Sequence, residues 1–386
     1  MRRRKITFFT GNRAEYGLLS PIVSSLVAEP TIELSAVVSG SHLSDDYGAT
    51  FSEIDLNGIR EIRKIRPAEG TPDAQMKTLF NMADLIKGGA KALKELRPNI
   101  LIVAGDRAET FGLTIAAFYL NIPIAHIFGG DISQGGHLDD STRHSITKLA
   151  HLHFVTNEDS YNRVVRLGEE KWRIFNVGSP VVDNVMQGKM ASRKEVLSEL
   201  GLNGSDPIIL FTQHPVTTES TAAYDQVKES LEALRELGYQ TVVTYPCDDA
   251  GSQDIIEAIG EYSGEPHFRI RKNLGWRLYL GCMRASSCVV GNSSSGLIET
   301  PVLKVPCVNV GSRQAGRLRS KNVIDVPYDK EKIKKAVKQT IYDQDFLKMV
   351  KRCENPYGDG HSSEKITKVL KAIPLGKKLL QKKMTY

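Results

Sequence analysis

Long apolar runs are absent from this chain, as are paired cysteine motifs, a glycine-rich dinucleotide fingerprint and a broad basic face. No stretch reaches the ~18 apolar residues that a bilayer-spanning helix requires. The start is basic, but Ile6-Thr7-Phe8-Phe9 gives way at once to Gly11-Asn12-Arg13. A secretory core needs roughly 7 to 15 apolar residues, so no signal peptide is expected. Cysteine is scarce, with Cys247, Cys282, Cys288, Cys307 and Cys353 odd in number and none in CxxC spacing. That excludes a disulfide scaffold and fits reduced thiols in a cytoplasmic protein. The net charge of +6 is concentrated at the ends, in Arg2, Arg3, Arg4 and Lys5 and in Lys377, Lys378, Lys382 and Lys383. The body between is close to neutral, which argues against nucleic acid as a partner. The basic ends are expected to be solvated or to meet an acidic partner.

What remains is globular. Of 386 residues 41% are apolar and 25% charged, the balance of a folded chain rather than a disordered one. The length exceeds what one core usually organises, so two domains are expected. Short apolar runs at 5–10, 33–38, 100–104, 122–127, 152–156 and 173–177 read as strands, separated by helical patterns at 14–27, 72–96, 107–120 and 158–167. A polar stretch near 186–192 reads as a link. The alternation then restarts, with strands at 207–212, 239–244, 267–270, 287–290, 305–310 and 323–326, and helices near 222–237, 252–262, 276–285, 294–301, 330–342 and 363–372. Apolar strands alternating with helices imply parallel sheets of right-handed βαβ units. The expected fold is therefore α/β, two doubly wound Rossmann-like domains facing a cleft. Residues 1–185 form the first and 186–362 the second, with a helix and basic tail over 363–386 packing back on the first.

Ligands of such sheets bind at the carboxyl ends of the strands. After the first strand comes Gly11-Asn12-Arg13, where glycine allows a tight turn and Arg13 sits near a helix start, facing an anion or capping in solvent. After the third comes Gly105-Asp106-Arg107; Asp106 reads equally as a general acid or base and as a helix cap. His126-Ile127-Phe128-Gly129-Gly130-Asp131 follows, then Asp139 and Arg143 at i,i+4, suited to a sugar phosphate or to a surface pair. In the second half, His214 is placed to approach a diphosphate or move a proton, or to be structural. Gly291-Asn292-Ser293-Ser294-Ser295-Gly296 offers amides and hydroxyls to a phosphate, Glu299 could hold ribose hydroxyls, and Arg313 follows the next strand. His144, His151 and His153 lie close together, but no HExxH or Cys/His spacing supports a metal. Neither a P-loop nor a GxSxG elbow is present.

Together these motifs, with Ser39-Gly40-Ser41-His42-Leu43, Arg143-His144-Ser145-Ile146-Thr147-Lys148, Gln213-His214-Pro215-Val216-Thr217-Thr218 and Gly311-Ser312-Arg313-Gln314-Ala315-Gly316-Arg317, resemble the hydrolysing UDP-N-acetylglucosamine 2-epimerases over nearly the whole chain and in order. The resemblance implies a glycosyltransferase-B type fold and conversion of UDP-GlcNAc and water to N-acetylmannosamine and UDP at the start of sialic acid synthesis. Close relatives act on diacetamido sugar nucleotides of the legionaminic type. It further implies that Ser293 and Ser294 hold the diphosphate with Arg13 and Arg313, that Glu299 grips the ribose and that the backbone near Leu274 reads the base. His214 would contact the diphosphate or sugar, and Asp106, Asp131, Asp139 and Arg143, beside Arg107, would line the sugar. No cofactor is required, and a homodimer or homotetramer is the expected assembly. Phe128 stands where many relatives carry Glu in a His-Ile-Glu-Gly-Gly-Glu run, and the loop at 132–138 looks longer. A glycosyltransferase of the same fold and a non-catalytic nucleotide-sugar sensor are the rival readings.

Overall fold

The computed structural model describes residues 3–43, 50–66, 74–132, 138–188, 190–246 and 251–386. Cys247 and most of the loop at 132–138 lie outside them. The chain divides into two compact units. The first comprises Met1–Ile132, Leu138–Asp183 and Tyr357–Tyr386, and the second contains Asn184–Pro356.

The first unit holds a seven-stranded parallel sheet formed by β1 (Arg4–Thr10), β2 (Ile32–Val38), β3 (Glu61–Lys64), β4 (Ile100–Ala104), β5 (Ile124–Ile127), β6 (Leu152–Val155) and β7 (Ile174–Asn176). Its order is β3-β2-β1-β4-β5-β6-β7. Helices cover both faces, so each strand must be apolar on both. Phe8 and Phe9 show the alternation. Phe8 enters the core packed by helices Arg13–Val27 and Ser362–Ala372, and Phe9 the core packed by helices Ala74–Leu96 and Ala108–Tyr119. β3 escapes the sequence reading because Glu-Ile-Arg-Lys is a half-exposed edge strand, where charge is tolerated.

The second unit repeats the plan with β8 (Ile208–Thr212), β9 (Gln240–Thr244), β10 (Phe268–Arg271), β11 (Cys288–Gly291), β12 (Cys307–Val310) and β13 (Val323–Val326), in the order β10-β9-β8-β11-β12-β13. Ile209 and Phe211 face one core, Ile208 and Leu210 the other. In each unit the strand order reverses at one place, between β1 and β4 and between β8 and β11, and there two βα turns diverge and leave room for a ligand.

The stretch read as a polar link runs between helix Pro180–Met186 and helix Arg193–Leu200, which Ser192 caps through a reciprocal bond with Glu195. One reading is corrected. The helix expected at 294–301 breaks at Glu299 into Ser295–Ile298 and Thr300–Leu303, because Pro301 has no N–H to continue the ladder. Of the two expectations for the basic ends, solvation or an acidic contact, Lys382 takes the second: its Nζ lies 2.7 Å from the buried carboxylate of Glu169. Cys282, Cys288, Cys307 and Cys353 are free and buried. Among the described residues no helix is long and apolar enough to cross a membrane.

Candidate active site

In the first unit the turns after β1 and β4 are tied together by one carboxyl. Asn12 caps helix Arg13–Val27, accepting from the Glu15 N–H at 2.9 Å. The Glu15 side chain then turns inward. Its Oε2 accepts from the Gly11 N–H at 2.5 Å and its Oε1 from the Thr110 hydroxyl at 2.9 Å. Burial pushes this carboxyl up to about 7, against the pull of those two donors. Arg13 opens the helix; its side chain lies outside the described residues.

Asp106 follows Gly105, whose φ of +72° suits glycine. The cap of helix Ala108–Tyr119 is Arg107, exposed and without a side-chain capping bond. Asp106 therefore does not cap. Its carboxylate takes the Arg143 guanidinium instead. Arg143 is 6% exposed and also donates to Asp140 Oδ1 and to the Asp131 carbonyl, each at 2.8 Å. Sequence spacing pointed to Asp139 at i−4; the capping-turn carboxylate that Arg143 grips is Asp140 at i−3, while Asp139 sits beside it in the first turn of helix Leu138–Leu149. Asp131 Oδ1 accepts from the Thr156 and Ser160 hydroxyls at 2.8 and 2.5 Å. Arg163 holds the Gly130 carbonyl. Thus Asp106, Asp131 and Arg143 form one cluster, fixed from β4, β5, β6 and helix Leu138–Leu149.

Beneath it His126 braces the floor. Its Nε2 donates to the Gly105 carbonyl at 2.8 Å, and the Thr147 hydroxyl is shared between Nδ1 and the Arg143 carbonyl. Burial lowers this imidazole to about 3, so it braces as a neutral group. Phe128, two residues on, is buried at φ +68°, a left-handed conformation costly for an aromatic residue.

In the second unit the hub is Asn292, which is fully buried. Its Oδ1 accepts from the His214 N–H at 2.6 Å and its Nδ2 donates to the His214 carbonyl at 2.8 Å, joining the turns after β8 and β11. Gly291 lies so close to the Thr212 backbone that any Cβ would collide with it. The Asn292 carbonyl accepts from Arg313 at 3.3 Å and Gln314 at 2.8 Å, which brings in the turn after β12. Burial first, then Arg313, lowers the His214 imidazole to about 3. Ser293 and Ser294 lie at the start of a helix of only four residues, so hydroxyls and amides, rather than a macrodipole, are what they offer. Glu299 is buried, one carboxylate oxygen has no hydrogen-bond partner, and burial raises it to about 7. The Tyr279 hydroxyl is buried beside the hydroxyls of Thr212, Ser293 and Ser295. Leu274 precedes helix Gly275–Ala285.

The profile of the family described as UDP-N-acetylglucosamine 2-epimerase matches residues 24–371. This chain belongs to that family. It is 36% identical over 99% of its length to the UDP-N,N'-diacetylbacillosamine 2-epimerase (hydrolyzing) of Legionella pneumophila, covering 100% of that protein. It is 31% identical to the UDP-N-acetylglucosamine 2-epimerase of Neisseria meningitidis serogroup B, over 87% of each. In fold it is similar to the crystal structure of UDP-GlcNAc 2-epimerase from Neisseria meningitidis bound to UDP-GlcNAc, with TM-score 0.79, 20% identity, and 95% of this chain and 99% of that one covered.

Within this 2-epimerase frame, sequence reasoning missed Glu15, Thr110, Asp140 and Tyr279 as site residues. Glu15 was visible only as the third residue after a capping Asn, a spacing that ordinarily signals a local capping box. Its actual partner, Thr110, is 95 residues away.

Proposed function

We propose that this epimerase-family member hydrolyses a UDP-linked 2-acetamido sugar, UDP-N-acetylglucosamine in the first reading, to the free 2-epimeric sugar and UDP. The observation that carries the proposal is the Asp106 carboxylate, released from helix capping and aimed by Arg143 at the carboxyl end of β4. The C2 hydrogen of such a sugar is not acidified by a neighbouring carbonyl; it becomes removable as the C1–O bond to the diphosphate breaks. Asp106 takes that proton, the C2–H electron pair becomes the C1–C2 double bond, and the diphosphate leaves with the C1–O pair. The intermediate is a 2-acetamidoglycal. Water then bonds to C1 and a proton returns to C2 from the opposite face, inverting it. Asp131 and Asp139 line the sugar. Arg13 offers a cation at the carboxyl end of β1, and Arg313 neutralises the diphosphate over Ser293 and Ser294. His214 contacts it, Glu299 holds the ribose, and the backbone near Leu274 reads the base.

A second reading, a 4-acetamido-6-deoxy sugar, is favoured by the buried apolar Phe128 at the end of β5. It also agrees with the full-length similarity to the Legionella enzyme.

Turnover in deuterium oxide should place solvent deuterium at C2 of a manno-configured product. Oxygen-18 water should label the anomeric oxygen and leave the nucleotide unlabelled. Run without acceptor on UDP-, GDP- and CDP-linked sugars, with and without 4-acetamido-6-deoxy substitution, the same assay separates the two readings and a glycosyltransferase. A product retaining its original C2 hydrogen sinks the mechanism.

A further inference from the structure

Helix Leu138–Leu149 carries Asp139, Asp140 and Arg143 in its first half, and its other end meets the last residues of the chain. The final carbonyls of any helix lack intrahelical partners and carry the negative end of its dipole. Here Lys382 Nζ donates to the carbonyls of Lys148 and Ala150, each at 2.6 Å. The same ammonium lies 2.7 Å from Glu169 Oε2, and Glu169 is 1% exposed. Lys148, on the helix itself, donates to Glu169 Oε1 and to the Leu167 carbonyl, both at 2.9 Å. His153 Nε2 faces Glu169 Oε2 at 3.1 Å.

The strap bearing Lys382 is itself anchored. Arg173 is fully buried and donates to the carbonyls of Leu379 at 2.7 Å, Lys378 at 2.8 Å and Gln381 at 3.2 Å. Leu379 is sunk in the core. Beyond Lys382, the Tyr386 ring covers Gly168 so closely that a Cβ there would collide with it. Lys382 is half-buried, and its ammonium is matched by the two helix-terminal carbonyls and the Glu169 carboxylate.

From these contacts we propose that Lys382 is a positioning residue for the Asp106–Arg143 pair: it caps the carboxyl end of helix Leu138–Leu149 and so sets where that helix holds Arg143. The route is short. The Arg143 carbonyl accepts from Thr147 at 2.9 Å, and Thr147 adjoins Lys148, whose carbonyl Lys382 caps. The inference rests on the catalytic reading of Asp106 given above, but the cap can be measured without it.

Two variants test it: Lys382→Met, and a chain ending at Gln381, which keeps every carbonyl that Arg173 grips. Lys377→Met, at an exposed position of the strap, is the charge-matched control. Hydrogen exchange should show helix Leu138–Leu149 losing protection by about tenfold in both variants. With UDP-N-acetylglucosamine or its diacetamido counterpart, kcat should fall about tenfold while UDP affinity stays at the wild-type value. Lys377→Met should behave as wild type. Unchanged protection overturns the cap whatever the activity does. Lost protection with unchanged kcat overturns the positioning role. If the wild type itself incorporates no solvent deuterium at C2, the functional reading fails, while the exchange measurement still decides the cap.

Discussion

Each of the two reversal points buries one carboxyl, Glu15 in the first unit and Glu299 in the second, and burial raises both to about 7. Their surroundings differ. Glu15 has both oxygens satisfied, by the Gly11 amide and the Thr110 hydroxyl, so its work is internal: it clamps the turn after β1 to the turn after β4. Glu299 has a buried oxygen with no partner, and the neighbouring Tyr279 hydroxyl lies among those of Thr212, Ser293 and Ser295. A buried polar atom left unpaired costs about 1 to 3 kcal/mol, so the free oxygen of Glu299 suits a ligand that donates to it. The other residues divide the same way. Around β4 and β5 stand charged groups in tight ion pairs, Asp106, Arg143 and Asp140. Around β8 and β11 stand amides and hydroxyls organised by Asn292, with Arg313 the cation at its carbonyl. One fold used twice thus presents paired charges at one reversal point and amides and hydroxyls at the other, which under the proposed function serve proton transfer and anion binding respectively.

The sharpest way to break this division is Asp106→Asn. The amide keeps size and most hydrogen bonding and removes basicity. It should lower kcat by roughly a hundredfold or more, with UDP binding held at the wild-type level. Measured turnover and UDP titration decide it. A loss of nucleotide affinity comparable to the loss of rate would erase the distinction between the two reversal points.

Next in size is Arg313→Ala. A charge-assisted contact is worth about 1.5 to 3 kcal/mol, so UDP binding should weaken by roughly ten- to a hundredfold. The deuterium content at C2 of whatever product forms should not change. Calorimetric titration with UDP reads the first, mass spectrometry the second. Wild-type affinity would remove Arg313 from the cradle.

How much of this was legible in the sequence follows from the range of each interaction. Strands such as Ile100–Ala104 and Ile208–Thr212 declare themselves because a sheet covered on both faces must be apolar throughout. The polar turns after them are visible for the same reason, as abrupt ends to apolar runs, and the candidate residues lie in them. What each candidate touches is another matter. Arg143 lies 37 residues from Asp106, and only the placement of helix Leu138–Leu149 brings them together. The i,i+4 rule selected Asp139, and the structure adds Asp140 at i−3 as a partner of Arg143. For Lys382 the sequence offered solvation, an acidic partner or packing on the first domain, because composition shows charge and not the carbonyls and the carboxylate that await it.

The smallest expected effect bears on the two buried carboxyls themselves. Free of ligand, Glu299 is raised to about 7, so near pH 6.5 it is largely protonated. Ribose hydroxyls donating to it favour the charged form and lower its pKa. UDP binding should therefore release a proton from Glu299, up to one per site near pH 6.5, fading toward pH 5, where the free diol cannot pull the pKa far enough, and above pH 8, where the carboxyl is already ionised. Titration calorimetry in buffers of different ionisation enthalpy counts that proton. The diphosphate contributes protons of its own, as does any change at His214, so the quantity to compare is wild type minus Glu299→Gln. Glu15→Gln is the contrasting variant. Its amide accepts from Gly11 and donates to Thr110, reproducing the neutral carboxyl, and it should leave the proton count of the wild type unchanged because both oxygens of Glu15 are engaged before any ligand arrives. Equal proton counts in wild type and Glu299→Gln would remove Glu299 from the ribose site; a count that changes in Glu15→Gln would make the clamp part of the ligand site and end the contrast between the two carboxyls.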